Sequence, residues 1–145
     1  MKRVIFIALL SCMFLFASAA DSFACSCQLS PAPLKKQVKD AYTDAYAVFS
    51  GEVLEITSKD EWSVTVKIKV EKSWKGGFSE EMTINTNKQS SMCGYSFEVG
   101  KKYLFYTYGI KDDLSTTNCS RTTVLSGTKD IKFLDRLKKT KGRSA

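Results

Sequence analysis

Four cysteines follow an apolar N-terminal segment, and their positions restrict the folds open to this chain more than any other feature. Residues 1–24 have the pattern of a secretory signal: Lys2 and Arg3, an apolar run over residues 4–20, and a small-x-small cleavage site at Ser22-Phe23-Ala24. Cleavage after Ala24 would remove Cys12 and leave Cys25, Cys27, Cys93 and Cys119. An even number of cysteines in a small exported domain indicates a framework of two disulfides.

Four cysteines can pair in three ways. A bridge between Cys25 and Cys27 would close a strained ring across one residue, so the two long-range arrangements are favoured, and the residues alone do not choose between them. Each long-range bridge would close a loop of more than about 60 residues, which is worth roughly 4 kcal/mol in the chain-entropy treatment.

Length and charge indicate one small exported domain. We predict a domain at residues 25–137 and a basic tail at 138–145. The net charge of +7 permits acidic partners without requiring them, and export argues against nucleic acid.

No second apolar run approaches the roughly 18 residues that a membrane span needs. A lipid anchor at Cys25 is disfavoured because Ser22 and Phe23 fit a lipoprotein signal poorly, so we expect a secreted protein, extracellular or periplasmic.

Two segments have apolar residues at helical spacing. The first begins at Leu34 after Pro31-Ala32-Pro33 and continues through Val38, Ala41, Tyr42, Ala45 and Tyr46, which predicts a helix with a buried aromatic stripe. The second covers residues 130–139, with Thr128 as its N-cap.

Between these helices the hydrophobic period is two, which predicts strands at residues 48–57, 63–70, 82–86, 102–108 and 122–125. Gly51 marks a bulge or sharp bend in the first strand. In the fourth strand, Tyr103 and Phe105 alternate with Leu104, Tyr106 and Tyr108; we expect one face in the core and the other half-covered by a helix. The fold class is therefore mainly β with flanking helices: a five-stranded Greek-key barrel of the oligonucleotide/oligosaccharide-binding (OB) type.

The composition argues against catalysis. The chain contains no histidine, which removes histidine-based nucleophile schemes and histidine metal sites. The cysteines are expected to be oxidised, and no pair of carboxylates is placed as acid–base catalysis would need. We therefore predict that the protein is not an enzyme and has neither a cofactor nor a metal of its own.

Cleavage after Ala24 would instead create a chemical group of interest, a free amine on Cys25. An α-amino group has a reference pKa of about 7.7–8, so an appreciable share is neutral at neutral pH. Together with the Cys25 carbonyl oxygen it could form a five-membered chelate around a metal. A catalytic zinc that keeps a water in its fourth position could accept such a chelate in place of that water.

Several short motifs occur in a characteristic order: Cys25-Ser26-Cys27, Phe49-Ser50-Gly51-Glu52-Val53, residues 67–72 followed by Trp74-Lys75-Gly76, Ser90-Ser91-Met92-Cys93-Gly94, Val99-Gly100-Lys101-Lys102-Tyr103-Leu104, and Cys119. With this order and spacing, residues 25–125 resemble the inhibitory N-terminal domain of the tissue inhibitors of metalloproteinases, within the netrin-like domain family. Animal members have a third bridge and a second cysteine-rich domain, so the chain is more similar to single-domain bacterial members.

The resemblance implies bridges Cys25–Cys93 and Cys27–Cys119, and a zinc metalloendopeptidase as partner. It also implies that the Cys25 amine and carbonyl chelate the target's zinc while Ser26 enters the primary specificity pocket. The remaining implied cleft contacts are Cys27, Gln28, Leu29, Ser30, Ser90, Ser91 and Met92. The alternative function is a non-inhibitory netrin-like module for protein interactions outside the cell or in its envelope, with a purely structural Cys-Ser-Cys terminus.

Overall fold

The computed structural model describes residues 25–28, 30–77 and 79–141. The predicted signal at 1–24, the predicted contact Leu29 and the end of the predicted tail lie outside the described residues. The elements, in chain order, are helix α1 (Leu34–Asp44), strands β1 (Ala47–Ser58), β2 (Ser63–Lys75) and β3 (Glu81–Asn87), a 3-10 turn (Ser90–Met92), strands β4 (Lys102–Ile110), β5 (Asp113–Ser115) and β6 (Thr123–Val124), and helix α2 (Asp130–Lys141).

Five of these strands form a closed barrel in the order β1-β2-β3-β5-β4, with β4 pairing back onto β1. Strand β1 pairs along one edge with β2 and along the other with β4, and its register with β2 shifts next to Gly51. A side chain at Gly51 would overlap the carbonyl oxygen of Lys69 on β2, so glycine is needed where the strand coils. The predicted mainly β, OB-type barrel with flanking helices is confirmed.

One predicted strand was assigned the wrong role. The segment predicted as the fifth strand, residues 122–125, forms only the edge strand β6, which pairs with β4 outside the ring. The barrel is closed by β5, which pairs parallel to β3 through Asn85 and Ser115 and antiparallel to β4. With three residues, β5 is too short to have an alternating pattern, and its pairing with β3 joins residues 30 positions apart.

Strand β4 separates two hydrophobic clusters. Tyr103 and Phe105 point into the barrel, where the Phe105 ring stacks on Phe49 with centroids 5.0 Å apart. Leu104 and Tyr106 lie on the opposite face, under the two helices, with Val38, Tyr42, Trp74 and Leu134. This is the predicted division between a barrel core and a helix-covered face.

The helices differ from prediction at their ends. Helix α1 stops at Asp44, so Tyr46 lies outside the buried stripe and is 40% exposed. Helix α2 continues to Lys141. In its last turn, the Lys138 ammonium donates to the Ser73 carbonyl oxygen of β2. The predicted boundary between domain and basic tail at residue 138 is therefore inside a helix, whose last turn is exposed but bonded to β2 through Lys138.

Across the described residues, no helix combines the length and the hydrophobicity that crossing a bilayer requires.

Candidate functional site

Two disulfides join the start of the described chain to two loops at the same end of the barrel. Cys25 is bonded to Cys93 and Cys27 to Cys119, at sequence separations of 68 and 92. These are the pairs that the resemblance implies. We call the two adjoining segments, residues 25–30 and 90–93, the N-terminal ridge. Bridges over such long separations restrict the unfolded chain strongly and are typical of oxidising compartments.

The two segments of the ridge are also joined through their backbones. The nitrogen of Cys25 donates to the carbonyl oxygen of Ser91 at 3.0 Å. Ser91 lies in the 3-10 turn, which ends at Cys93 with a left-handed φ of 61° and a bond from the Cys93 nitrogen to the Ser90 carbonyl oxygen. The backbone of Cys25 is therefore positioned by a bond and a bridge to the same short turn.

The 3-10 turn is fixed to the end of β3. The side-chain amide of Asn87 donates to the carbonyl oxygen of Met92, and the Tyr95 nitrogen donates to the Thr86 hydroxyl at 2.9 Å. Gly94 lies so close to β3 that a Cβ there would overlap the Asn87 carbonyl oxygen. This close approach requires glycine immediately after the bridged Cys93.

Asn118 connects both halves of the ridge. Its backbone nitrogen donates to the Cys93 carbonyl oxygen at 3.0 Å, and its side-chain Nδ2 donates to the Ser90 carbonyl oxygen at 3.2 Å. Its Oδ1 lies 3.4 Å from the sulfurs of both Cys25 and Cys119. These sulfurs are bridged and have no hydrogen, so the contacts are packing interactions and not hydrogen bonds.

Three sulfurs in this region are close together but do not form a metal site. The Sγ atoms of Cys25, Cys27 and Cys119 lie within 4.8 Å of one another. Each takes part in a disulfide, which leaves no thiolate to bind a metal. The cluster results from two neighbouring bridges, with 3.5 Å between the sulfurs of Cys25 and Cys119.

Most predicted contact residues of the ridge face solvent. Ser26, Gln28 and Ser30 are exposed on the first segment, as are Ser90 and Ser91 on the second. Cys25 and Met92 are half-buried. The structure thus brings the described contact residues of the two sequence segments to one uncharged surface.

A buried ion pair lies beneath the first segment. Arg121 binds Asp130, the first residue of α2, through two bonds: Nε to Oδ2 at 2.8 Å and Nη2 to Oδ1 at 2.7 Å. The Tyr106 hydroxyl donates to the same carboxylate at 3.0 Å. Burial, followed by the charge of Asp130, raises the pKa of Tyr106 above its ordinary value, so the phenol remains a donor. The bond to Asp130 also raises the pKa of Arg121.

Gln37 of α1 links the Arg121–Asp130 pair to the ridge through hydrogen bonds. Its Oε1 accepts a bond from Arg121 Nη1 at 2.8 Å. Its Nε2 donates to the carbonyl oxygens of Ser30 at 3.1 Å and Ala32 at 2.7 Å. The chain leaving the ridge is therefore held by a side chain whose orientation depends on a buried ion pair.

The tip of the β1–β2 hairpin is attached next to the ridge. The Lys88 nitrogen donates to the Trp62 carbonyl oxygen at 2.9 Å, and the Lys88 ammonium binds Ser58 Oγ at 2.9 Å. Lys88 lies two residues before the 3-10 turn, and the Trp62 side chain is 52% exposed. An exposed indole thus lies at the same end of the barrel as the ridge.

The sequence identified the ridge but not the residues that position it. Asn118, Gln37 and Arg121 were missed because each makes a contact that joins segments 28 to 93 residues apart in the chain. For Asn87 no local motif indicates a role. Gly94 belongs to the motif Ser90-Ser91-Met92-Cys93-Gly94, and its close approach to β3 explains why glycine is required there.

No protein-family model matches this chain, and comparison with curated proteins gives no match either.

Proposed function

We propose that the protein is a secreted inhibitor of zinc metalloendopeptidases whose Cys25 amine and carbonyl oxygen chelate the catalytic zinc of the target. The observation that carries this proposal is the position of Cys25: it is fixed by its bridge to Cys93 and its bond to Ser91 at the end of an exposed ridge. Cleavage after Ala24 would place a primary amine on this fixed residue.

The hydrogen bond to Ser91 suits a chelating amine. A neutral terminal amine has two hydrogens and one lone pair. If one hydrogen remains bonded to the Ser91 carbonyl oxygen, as the Cys25 nitrogen is in the intact chain, the lone pair stays available for a metal. Zinc accepts such a nitrogen at about 2.0–2.1 Å and can expand to five ligands. The two Cys25 atoms would replace the water that the enzyme needs for hydrolysis.

Preorganisation explains why a short N-terminal peptide would bind tightly on this scaffold. A free peptide loses about 0.5–1.5 kcal/mol for each flexible side chain that it orders on binding, in addition to its backbone entropy. Here the bridges at Cys25 and Cys27 already order the backbone when the protein folds, so this conformational entropy is not lost again on binding. The bonds from Gln37 to Ser30 and Ala32 extend the same restraint beyond the bridges.

The exposed side chains of the ridge supply the proposed cleft contacts. Ser26 follows the chelating residue and would enter the primary specificity pocket, with Cys27, Gln28, Leu29 and Ser30 continuing along the cleft. Ser90, Ser91 and Met92 would form a second line of contact. Because the described contact residues are uncharged, affinity would come from shape, zinc binding and hydrogen bonds and would depend little on salt.

The first experiment combines intact mass with inhibition. We expect the exported protein to begin at unmodified Cys25 with two intact disulfides. It should inhibit zinc endopeptidases stoichiometrically and leave a serine endopeptidase, which has no zinc, fully active. An N-terminus at another residue, or an acylated Cys25, would contradict the proposal and favour the structural role of the Cys-Ser-Cys terminus.

A second experiment examines the pocket contact. Ser26→Gly removes the group that would fill the specificity pocket, and we expect the inhibition constant to rise about tenfold. Ser96→Gly is the matched control, because Ser96 is also exposed but lies outside the ridge. Equal inhibition constants for the two variants would remove Ser26 from the proposed contact surface.

A further inference from the structure

Helix α2 presents a row of basic side chains to solvent. Lys132, Arg136 and Lys139 are spaced four and three residues apart, and Lys129 lies three residues before them. These intervals return to the same face of a helix. All four side chains are exposed. We call these four residues the basic row; its three members within α2 span roughly 10 Å at 1.5 Å per residue, and Lys129 lies just before the helix.

The opposite face of α2 is used in the fold. Leu134 is fully buried, and Ile131, Phe133 and Leu137 pack against the same cluster under the helices. The Arg136 guanidinium lies over the Phe133 ring, 5.8 Å from its centroid. The helix therefore has a fixed orientation with its cations pointing outward.

The acidic residues of α2 do not neutralise the row. Asp130 is buried and bound by Arg121. Asp135 accepts bonds from the Lys72 ammonium and the Trp74 indole nitrogen, both at 2.7 Å. The bond from Lys72 is the main cause that lowers the pKa of Asp135, and Lys139 contributes least. Among the described residues, the four cations of the basic row form no ion pair.

We propose that the basic row is a docking surface for an extended anionic polysaccharide with phosphate or sulfate groups. Charge complementarity supports this partner, because a linear arrangement of unpaired cations fits a linear arrangement of anions. A membrane surface fits less well. Helices that bind in the plane of a membrane bury an apolar face among the lipids, whereas the apolar face of α2 is already packed in the domain.

The docking surface shares no residue with the N-terminal ridge. Binding of a polyanion would hold the protein at a charged matrix or envelope polymer while the ridge remains exposed. The inference therefore does not depend on protease inhibition, and the two can be tested separately.

The test is titration of the mature protein with dextran sulfate by calorimetry at 50 to 200 mM NaCl. The triple variant Lys132→Gln, Arg136→Gln, Lys139→Gln removes three charges from the row. The control Lys35→Gln, Lys69→Gln, Lys111→Gln removes three charges from exposed lysines elsewhere. We expect the row variant to bind at least about tenfold more weakly and to lose two to three units of slope in log K against log salt. The control should stay within about threefold of the unmodified protein.

Three results would overturn the inference: equal weakening by the two triple variants, no binding at 50 mM NaCl, or binding to anionic phospholipid vesicles without binding to dextran sulfate. The first would show only diffuse charge attraction. Circular dichroism checks that both variants fold, and the pair Lys132→Gln, Lys139→Gln replaces the row variant if it does not. Inhibition of a zinc endopeptidase should be the same for the row variant and the control.

Discussion

The backbone nitrogen of Cys25 lies 3.0 Å from the carbonyl oxygen of Ser91 and donates a hydrogen bond to it. The two residues are 66 positions apart in the sequence, and the bridge to Cys93 keeps them together. This relationship gives the terminal residue of the predicted mature chain a defined orientation.

The Arg121–Asp130 pair should contribute strongly to stability. Arg121→Met would leave the Asp130 carboxylate, only 3% exposed, without its cation. We expect the free energy of unfolding to fall by about 2–4 kcal/mol, less than for a fully buried pair because Arg121 is partly exposed. Urea denaturation measures this. Lys72→Met is the control, since it removes the exposed pair with Asp135 and should cost at most about 1 kcal/mol. Equal decreases in the free energy of unfolding for the two variants would show that the Arg121–Asp130 pair stabilises the fold no more than an exposed pair does.

Gln37 should affect inhibition more than stability. Gln37→Glu keeps an acceptor for Arg121 but removes the donor that binds the carbonyl oxygens of Ser30 and Ala32. We expect the inhibition constant for a zinc endopeptidase to rise about five- to tenfold, equivalent to about one hydrogen bond. The free energy of unfolding should fall by at most about 1 kcal/mol, because the new carboxylate strengthens the bond from Arg121 and offsets part of the loss of two bonds. Lys39→Gln, an exposed change on the same helix, should alter neither quantity, and an unchanged inhibition constant for Gln37→Glu would contradict its positioning role.

Gly94 should be sensitive to a single methyl group. Gly94→Ala places a carbon against the Asn87 carbonyl oxygen, so the 3-10 turn must move away from β3 and take Ser91 with it. We expect a loss of about 1–3 kcal/mol in the free energy of unfolding and weaker inhibition. Gly77→Ala is the matched control: nothing lies within 4 Å of its added carbon, but its φ of +80° costs about 1–2 kcal/mol. If both variants inhibit equally well, the position of the turn does not matter.

Most of the barrel could be predicted from the sequence because apolar and polar residues alternate along its long strands. Val66, Ile68 and Val70 alternate as buried residues along β2, and β4 presents Tyr103 and Leu104 to opposite cores, as predicted. The closing strand β5 has no such pattern, since it has only three residues and its pairing with β3 joins Asn85 to Ser115, 30 positions apart.

The candidate site also contains residues that could be predicted from the sequence and residues that could not. The cysteines and the exposed serines of the ridge stand out in the sequence because they follow the predicted cleavage site and occur in recognisable motifs. Their supports do not stand out. Arg121 binds Gln37 across 84 residues, and Asn118 reaches Ser90 across 28, and contacts of this range leave no periodic pattern in the chain.

The central claim is that the free amine of Cys25 binds the target's zinc, and one added residue tests it most directly. The comparison is between mature protein that begins at Cys25 and the same protein with a single alanine ahead of Cys25, assayed as inhibition constants against one zinc endopeptidase. The extension turns the amine into an amide, which is a poor zinc ligand, but the Cys25 nitrogen can still donate to Ser91. We predict that the extended protein unfolds at the same urea concentration and inhibits at least about 100-fold more weakly, a loss of roughly 2.7 kcal/mol. Equal inhibition by the two proteins would contradict the account.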